Sequence, residues 1–321
     1  MLVCPEAAVR ETLDLPALVP AVEDALVRQA RGEVERPERP HFPVGQGLEG
    51  EAPLGMGIAM PAYVHGAERY ATKLVGVHEA NPDRGLPTVN AVVALTDART
   101  GLPEALLAGN ALTNARTACI GALAVRAFAP DAATLGVIGA GAQARWQTRA
   151  AATVADLEDV RVYSPNTRAA CAADLRGEGV PARAVESARA AVEGADAVVT
   201  ATTATEPVFP PEALAPGALV VAVGAYTAET QELDPAVLEQ AETVLADVPG
   251  EVAETGDLLA TDLGVGDLAE FGAWLDGDRD PPAGRVVVDS VGSAVLDAAA
   301  GAFVYERAQE AGLGTDIGLW E

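Results

Sequence analysis

Lysine is almost missing from this sequence. Of its 21 basic residues, Lys73 alone is lysine and the others are arginine. Aromatic residues make up only 4%, and no run approaches the roughly 18 consecutive apolar residues of a membrane span. The 3 cysteines, Cys4, Cys119 and Cys171, are odd in number and scattered, which excludes a disulfide framework and gives no zinc spacing. His41, His65 and His78 show neither metal-ligand spacing nor an HExxH pattern, so no metal is expected. There is no Gly-x-Ser-x-Gly elbow and no Cys/His nucleophile arrangement. Positive charge is scarce as well: 47 acidic residues against 21 basic ones give a formal charge of −26. Such a field repels phosphate backbones and anionic lipid, so no nucleic-acid partner and no membrane role are expected. What is present is a 50% hydrophobic, 21% charged chain of 321 residues, enough for one large or two ordinary domains. The first helix is too charged for a signal peptide, and the expected location is cytoplasmic.

Acid enrichment with lysine depletion suits a halophilic protein, because a hydrated, self-repelling carboxylate surface stays soluble when salt screens its charges. A GC-rich codon bias toward arginine gives the same pattern and can act with it. In either case the surviving lysine stands out, since arginine cannot replace it where a proton must be given up. Lys73 lies in an extended apolar segment, Tyr70–Val75. There it is either an edge-strand charge that blocks aggregation or a partly buried amine with a lowered pKa.

Apolar spacing predicts a helix over 12–32, followed by the non-helical Arg36-Pro37-Glu38-Arg39-Pro40. Short strands are expected at Leu54–Met60, Tyr70–Val77 and Val89–Thr96, and a helix at Thr113–Phe128. From Ala133 the pattern changes. Apolar strands at Thr134–Ile138, Val160–Tyr163, Ala197–Ala201, Leu219–Val223 and Thr243–Ala246 alternate with helices, which indicates a parallel sheet covered on both faces. Val286–Val288 is expected to return toward the first region, and Ala294–Ala311 to form a closing helix. The fold class is therefore α/β, with a Rossmann-like dinucleotide-binding domain at 116–292. It is inserted into an α+β domain made of 1–115 and 293–321, whose C-terminal helix docks back on the N-terminal part.

Gly139-Ala140-Gly141-Ala142-Gln143-Ala144 follows a strand and opens a helix, as a dinucleotide fingerprint requires, with alanine in the permitted third position. Gly139 allows the tight turn, and Gly141 lets the backbone approach a pyrophosphate at the helix N-terminus. The second strand ends in Tyr163-Ser164-Pro165-Asn166-Thr167-Arg168, without the carboxylate that holds an NAD ribose. Ser164, Thr167 and Arg168 suit a 2′-phosphate, which favours NADP(H) within an NAD(P) expectation. Arg116, after a helix-start signal, is either a phosphate or carboxylate clamp or a helix-surface residue.

In order, Lys73, Asn81-Pro82, Gly85-Leu86-Pro87-Thr88-Val89 and Asp97…Thr100-Gly101-Leu102-Pro103 form one half of a series. Thr113…Arg116-Thr117-Ala118, the glycine motif, Val223-Gly224-Ala225…Glu232-Leu233, Ser290-Val291-Gly292 and Gly312-Leu313-Gly314-Thr315 complete it. The series resembles the ornithine cyclodeaminase/mu-crystallin family over essentially the whole chain. The resemblance implies an NAD(P)-dependent homodimer whose first domain forms the dimer interface and substrate pocket. It implies that Arg39 clamps the substrate carboxylate, with Arg36 as the alternative, and that Lys73 contacts the carboxylate or the reacting carbon. Thr88, Arg116, Gln143, Ala144 and Thr202 match cofactor contacts. Val223, Gly224 and Tyr226 would pass beneath the nicotinamide, and Ser290 and Val291 would close over it. Ornithine cyclodeaminases carry an aspartate for the substrate's side-chain amine where this chain has Tyr226, a poor partner for an ammonium group.

The expected activity is an NAD(P)-dependent oxidoreductase working at the α-carbon of a small amino acid, as in alanine dehydrogenases or ketimine reductases. Its ligand would be an amino acid, keto acid or cyclic imine. Ornithine cyclisation to proline with loss of ammonia, and NADP(H) and ligand binding of the mu-crystallin type, are the alternatives. The charge pattern itself generates a test: the melting temperature and activity should rise from about 0.1 M to molar KCl, where screening removes surface repulsion. A melting temperature that falls over this range contradicts the halophilic expectation.

Overall fold

The computed structural model describes residues 1–277 and 279–319. Residues 278, 320 and 321 fall within the expected domain ranges but lie outside the described residues. The chain forms two compact units. One comprises Met1–Asp14, Arg31–Arg116 and the chain from Ala294 onward, and the other Leu15–Ala30 and Thr117–Ser293.

In the first unit, strands β1 (Leu2–Cys4), β2 (Val34–Glu35), β3 (His41–Val44), β4 (Gly55–Val64), β5 (Arg69–Val77), β6 (Val89–Asp97), β7 (Pro103–Ala108) and β16 (Thr315–Asp316) form one sheet. Its order is β16-β1-β7-β6-β5-β4-β2, with β3 also paired to β4. β4 to β7 form an antiparallel meander, and β1 joins β7 in parallel. The two-residue side-chain period sends Ala71 and Lys73 of β5 inward, while Tyr70 and Leu74 remain exposed. The helix Ala294–Ala311 packs on the inner face. A Cβ on its Gly301 would meet Leu95 Cδ2 at 3.1 Å and Val93 Cγ1 at 3.4 Å, so helix and sheet approach closely. Asp297, Gly301, Val304 and Ala308 share the buried stripe at helical spacing. An acid therefore occupies a core position.

In the second unit, β8 (Thr134–Ile138), β9 (Asp159–Tyr163), β10 (Ala182–Ala184), β11 (Ala197–Thr200), β12 (Leu219–Ala222), β13 (Thr243–Ala246), β14 (Ala269–Glu270) and β15 (Val286–Asp289) form a wholly parallel sheet. The order is β10-β9-β8-β11-β12-β15-β13-β14. Every residue of β11, β12 and β15 is buried, as parallel strands covered on both faces require. Strand order reverses between β8 and β11, the switch point at which dinucleotides bind in open α/β sheets. The fold is thus α/β, with a Rossmann-like unit.

Four expectations differ from the structure. Val286–Val288 does not return toward the first region; as β15 it lies between β12 and β13, where its unbroken valine run is buried. The helix expected over 12–32 is Leu15–Ala30, preceded by a separate short helix Glu6–Thr12. Pro16, suited to a first turn by its fixed φ and missing N–H, marks the true start. Leu15–Ala30 also clusters with the second unit, whereas the sequence division assigns it to the first. The helix expected at Thr113 begins at Gly109. No helix among the described residues is long and apolar enough to cross a membrane.

Candidate active site

Lys73 lies at the middle of β5 with only 2% of its surface exposed, which rules out an edge-strand guard. Its Nζ is 2.6 Å from Asp297 Oδ2, a buried ion pair. Arg116, also buried, donates through Nε to the other oxygen, Asp297 Oδ1, at 3.0 Å. Its Nη1 is buried and has no hydrogen-bond partner among the described residues. Two cations thus share one fully buried carboxylate.

Burial lowers the Lys73 pKa most strongly, Asp297 opposes that fall, and Arg116 and Arg39 reinforce it. The result is about 8, against an ordinary 10.5. Burial pushes Asp297 upward, but Arg116 and Lys73 outweigh it and hold the carboxyl below its usual range. The cluster therefore keeps its negative member ionised and carries excess positive charge. A carboxylate-bearing ligand would complete it, and a lysine titrating near 8 can exchange a proton under ordinary conditions. Arg39 is half-buried and close enough for its charge to act on Lys73, which supports it over Arg36 as the clamp. Thr88 is half-buried, and its carbonyl accepts from the His78 N–H at 2.8 Å.

The second unit gathers most of the expected cofactor residues on the carboxyl edge of its parallel sheet. Gly139 N donates to Tyr163 O, Ala201 N to Ile138 O, Val223 N to Thr200 O, and Ser290 N to Ala222 O. These bonds align the segments holding Gly139, Ser164, Thr202, Val223, Gly224 and Ser290. Gly139 has φ +116°, and a Cβ there would overlap the Ala201 carbonyl. Gly141 is extended, with open space where its Cβ would stand, and no side chain caps the helix Ala142–Ala151 that follows. Gln143 and the buried Ala144 lie in the first turn. This cradle fits a dinucleotide pyrophosphate: the backbone N–H groups face space that any side chain at Gly141 would fill.

At the end of β9, Arg168 Nη1 donates to the carbonyls of Ser164 and Pro165, and Nη2 pairs with Glu186 at 2.6 Å. Tyr226 is 37% exposed, and the Thr230 hydroxyl accepts from its N–H at 2.9 Å. Val291 is half-buried beside Ser290. Arg116 and Thr88, expected at the cofactor, belong to the first unit.

Sequence reasoning missed Asp297 and the acids that organise the second unit. Asp247 accepts from Ser290 Oγ at 2.7 Å and from the N–H groups of Val291 and Gly292 at 3.2 and 2.8 Å, fixing that turn. The available signal was an acid placed alone within the apolar helix run Ala294-Val295-Leu296-Asp297-Ala298. Among the described residues, no group of three or more His, Cys, Asp or Glu is arranged to hold a metal.

A parallel sheet with a glycine-turn cradle and a separate buried cationic cluster define a nucleotide-dependent enzyme of the α/β class. The chain belongs to the ornithine cyclodeaminase/mu-crystallin family, whose model matches residues 1–312. It is 34% identical over 300 residues to a Delta(1)-pyrroline-2-carboxylate reductase of Bacillus cereus, covering 87% of this chain and 90% of that one. Among solved structures, Thermococcus litoralis Delta(1)-pyrroline-2-carboxylate reductase in complex with NADH and L-proline superposes with a TM-score of 0.92 at 29% identity. That match covers 99% of this chain and 100% of the other. An archaeal alanine dehydrogenase dimer with bound NAD gives 0.89 at 27%, covering 100% and 99%.

Replacing Asp297 by alanine leaves two buried cations facing each other, and losing one member of a buried pair typically costs about 3–5 kcal/mol. Urea unfolding of Asp297→Ala should show a loss of that order. A loss below about 1 kcal/mol, the range of a surface pair, would contradict this arrangement.

Proposed function

We propose that the protein is an NAD(P)H-dependent reductase of a carbon–nitrogen double bond next to a carboxylate, with small cyclic imines as its substrates. The observation that carries this reading is the Lys73–Asp297–Arg116 cluster, with its uncompensated charge and the unpartnered Arg116 Nη1. Arg116 and Arg39 hold the substrate carboxylate, a task suited to the guanidinium fork. Lys73, ionised below about 8, gives a proton to the imine nitrogen while the α-carbon is reduced. A bound nicotinamide supplies the hydride, or accepts it in the reverse direction. The pyrroline carboxylate reductases among the relatives support the imine, and the alanine dehydrogenase supports reductive amination of a keto acid as a neighbouring reaction. Tyr226 offers no carboxylate for a second amine, which weighs against ornithine cyclisation.

The preference for NADP(H) rests on the Ser164–Arg168 loop. The Arg168–Glu186 pair is exposed on the acid side and therefore weak, so a 2′-phosphate can take the place of Glu186. Homodimer formation is supported by the outer sheet face of the first unit, where Tyr70, Leu74 and Val92 are exposed and Leu74 pairs with Val92 across β5 and β6. Leu74→Asp should convert a dimer to a monomer in light scattering; an unchanged mass would remove that face from the interface.

Activity is read as NAD(P)H oxidation with Δ1-pyrroline-2-carboxylate, and with pyruvate plus ammonia. Lys73→Arg should keep nucleotide binding and lose turnover by at least about a hundredfold, the scale of a positioned proton donor. Because Lys73 loses its proton above about 8, reductive kcat/KM should fall above that pH while oxidation of the amino acid rises. Substantial turnover by Lys73→Arg, or proline formed from ornithine without net redox change, would overturn the reading.

A further inference from the structure

Glu232 is fully buried, yet its carboxylate has three donors around it. Oε2 accepts from Thr200 Oγ1 at 2.9 Å and from Gly224 N at 2.7 Å, while Oε1 accepts from Thr202 N at 2.6 Å. These groups come from the end of β11, the loop after it and the loop after β12, on the edge that carries the glycine turn. A Cβ on Gly224 would overlap both the Thr202 carbonyl and the Glu232 carboxyl, so the two loops close on this one side chain. The Glu232 segment is anchored in turn, because its N–H and that of Leu233 both donate to Asp257 Oδ1 at 2.7 Å. Every partner of the carboxylate donates. A glutamine would present one acceptor and set its NH2 against an N–H.

We propose that ionised Glu232 is the positioning residue for the nicotinamide half of the cofactor site, tying together the loops that carry Thr202 and Gly224, and that its protonation releases them. The inference rests on the NAD(P) reading above and names a determinant of that same site. The surroundings make the charge adjustable. Burial pushes Glu232 up to about 7; Asp257 adds to the rise, and hydrogen bonds from Thr202 and Thr200 oppose it. Burial also raises Asp257, to about 6. Asp289, buried at the end of β15 with neither oxygen hydrogen-bonded among the described residues, is raised well above its ordinary value by burial and by Asp257, Asp247 and Glu232. Asp257 and Asp289 are the titratable groups that act with Glu232 across the neighbouring elements, and Asp247 acts on Asp289. An acid titrating near 7 is ionised above that pH and neutral below it, so the tie is complete on the alkaline side.

The test is fluorescence titration of the substrate-free protein with NADPH and NADH from pH 6 to pH 8.5, with circular dichroism to confirm folding. Wild-type affinity should weaken about tenfold between pH 8 and pH 6, the change in ionised fraction for a group titrating near 7. Glu232→Gln should bind about tenfold more weakly at pH 8 and show no such pH dependence, since a lost charge-assisted contact of this kind is worth about a factor of ten or more. Thr200→Val keeps the carboxylate but loses one donor, and its break should move to higher pH; it carries the test if Glu232→Gln does not fold. A wild-type affinity flat across this range, or an unmoved break in Thr200→Val, overturns the role of Glu232 while leaving cofactor use intact. Absence of binding by either nucleotide at any pH overturns the cofactor reading and this inference together.

Discussion

The first unit depends on two buried cations being held against one buried carboxylate. Desolvating an ion is costly, and a buried pair is retained only where geometry and further bonds offset that cost. Here the offset is incomplete: Asp297 serves both Lys73 and Arg116, and an Arg116 donor is left unmet. Well-packed apolar side chains in place of a buried ion cluster are often as stabilising or more so. The charge imbalance is what the proposed anion site rests on, while burial above all, reinforced by Arg116 and Arg39, lowers the Lys73 pKa to about 8.

The second unit has the opposite problem. Glu232, Asp247, Asp257 and Asp289 are all fully buried on the carboxyl edge of a parallel sheet. Glu232 and Asp247 accept through both oxygens from backbone N–H groups and hydroxyls of the loops that would hold a dinucleotide, and Asp257 accepts two backbone N–H groups through Oδ1 alone. The acids are the means by which irregular backbone at a sheet edge keeps its donors paired. Glycine does the complementary work at Gly139 and Gly224, where the backbone passes too close to a neighbour for any side chain.

Much of this was legible in the sequence, for identifiable reasons. Unbroken apolar runs such as Leu219–Ala222 announce a two-sided parallel strand, and a glycine turn between strand and helix announces its ligand edge. The rarity of lysine singles out Lys73 independently of its burial. Asp297 was not legible, because it lies more than 200 residues from Lys73 in the sequence and only helix-on-sheet packing brings them together. Val286–Val288 was misplaced for a related reason: periodicity identifies a buried strand but not its neighbours, and β15 enters between two earlier strands. For Arg116 the sequence leaves a phosphate or carboxylate clamp and a helix-surface residue both open, since one helix position looks like another until a partner is seen.

Lys73 is the only lysine in the chain, which makes the central claim directly measurable. Protein labelled with ε-13C lysine should give a single side-chain resonance by NMR, followed through pH in molar salt. The account predicts a midpoint near 8, moving upward when L-proline is bound and its carboxylate adds negative charge beside the amine. A midpoint at the ordinary lysine value of about 10.4, unchanged by the ligand, would contradict it.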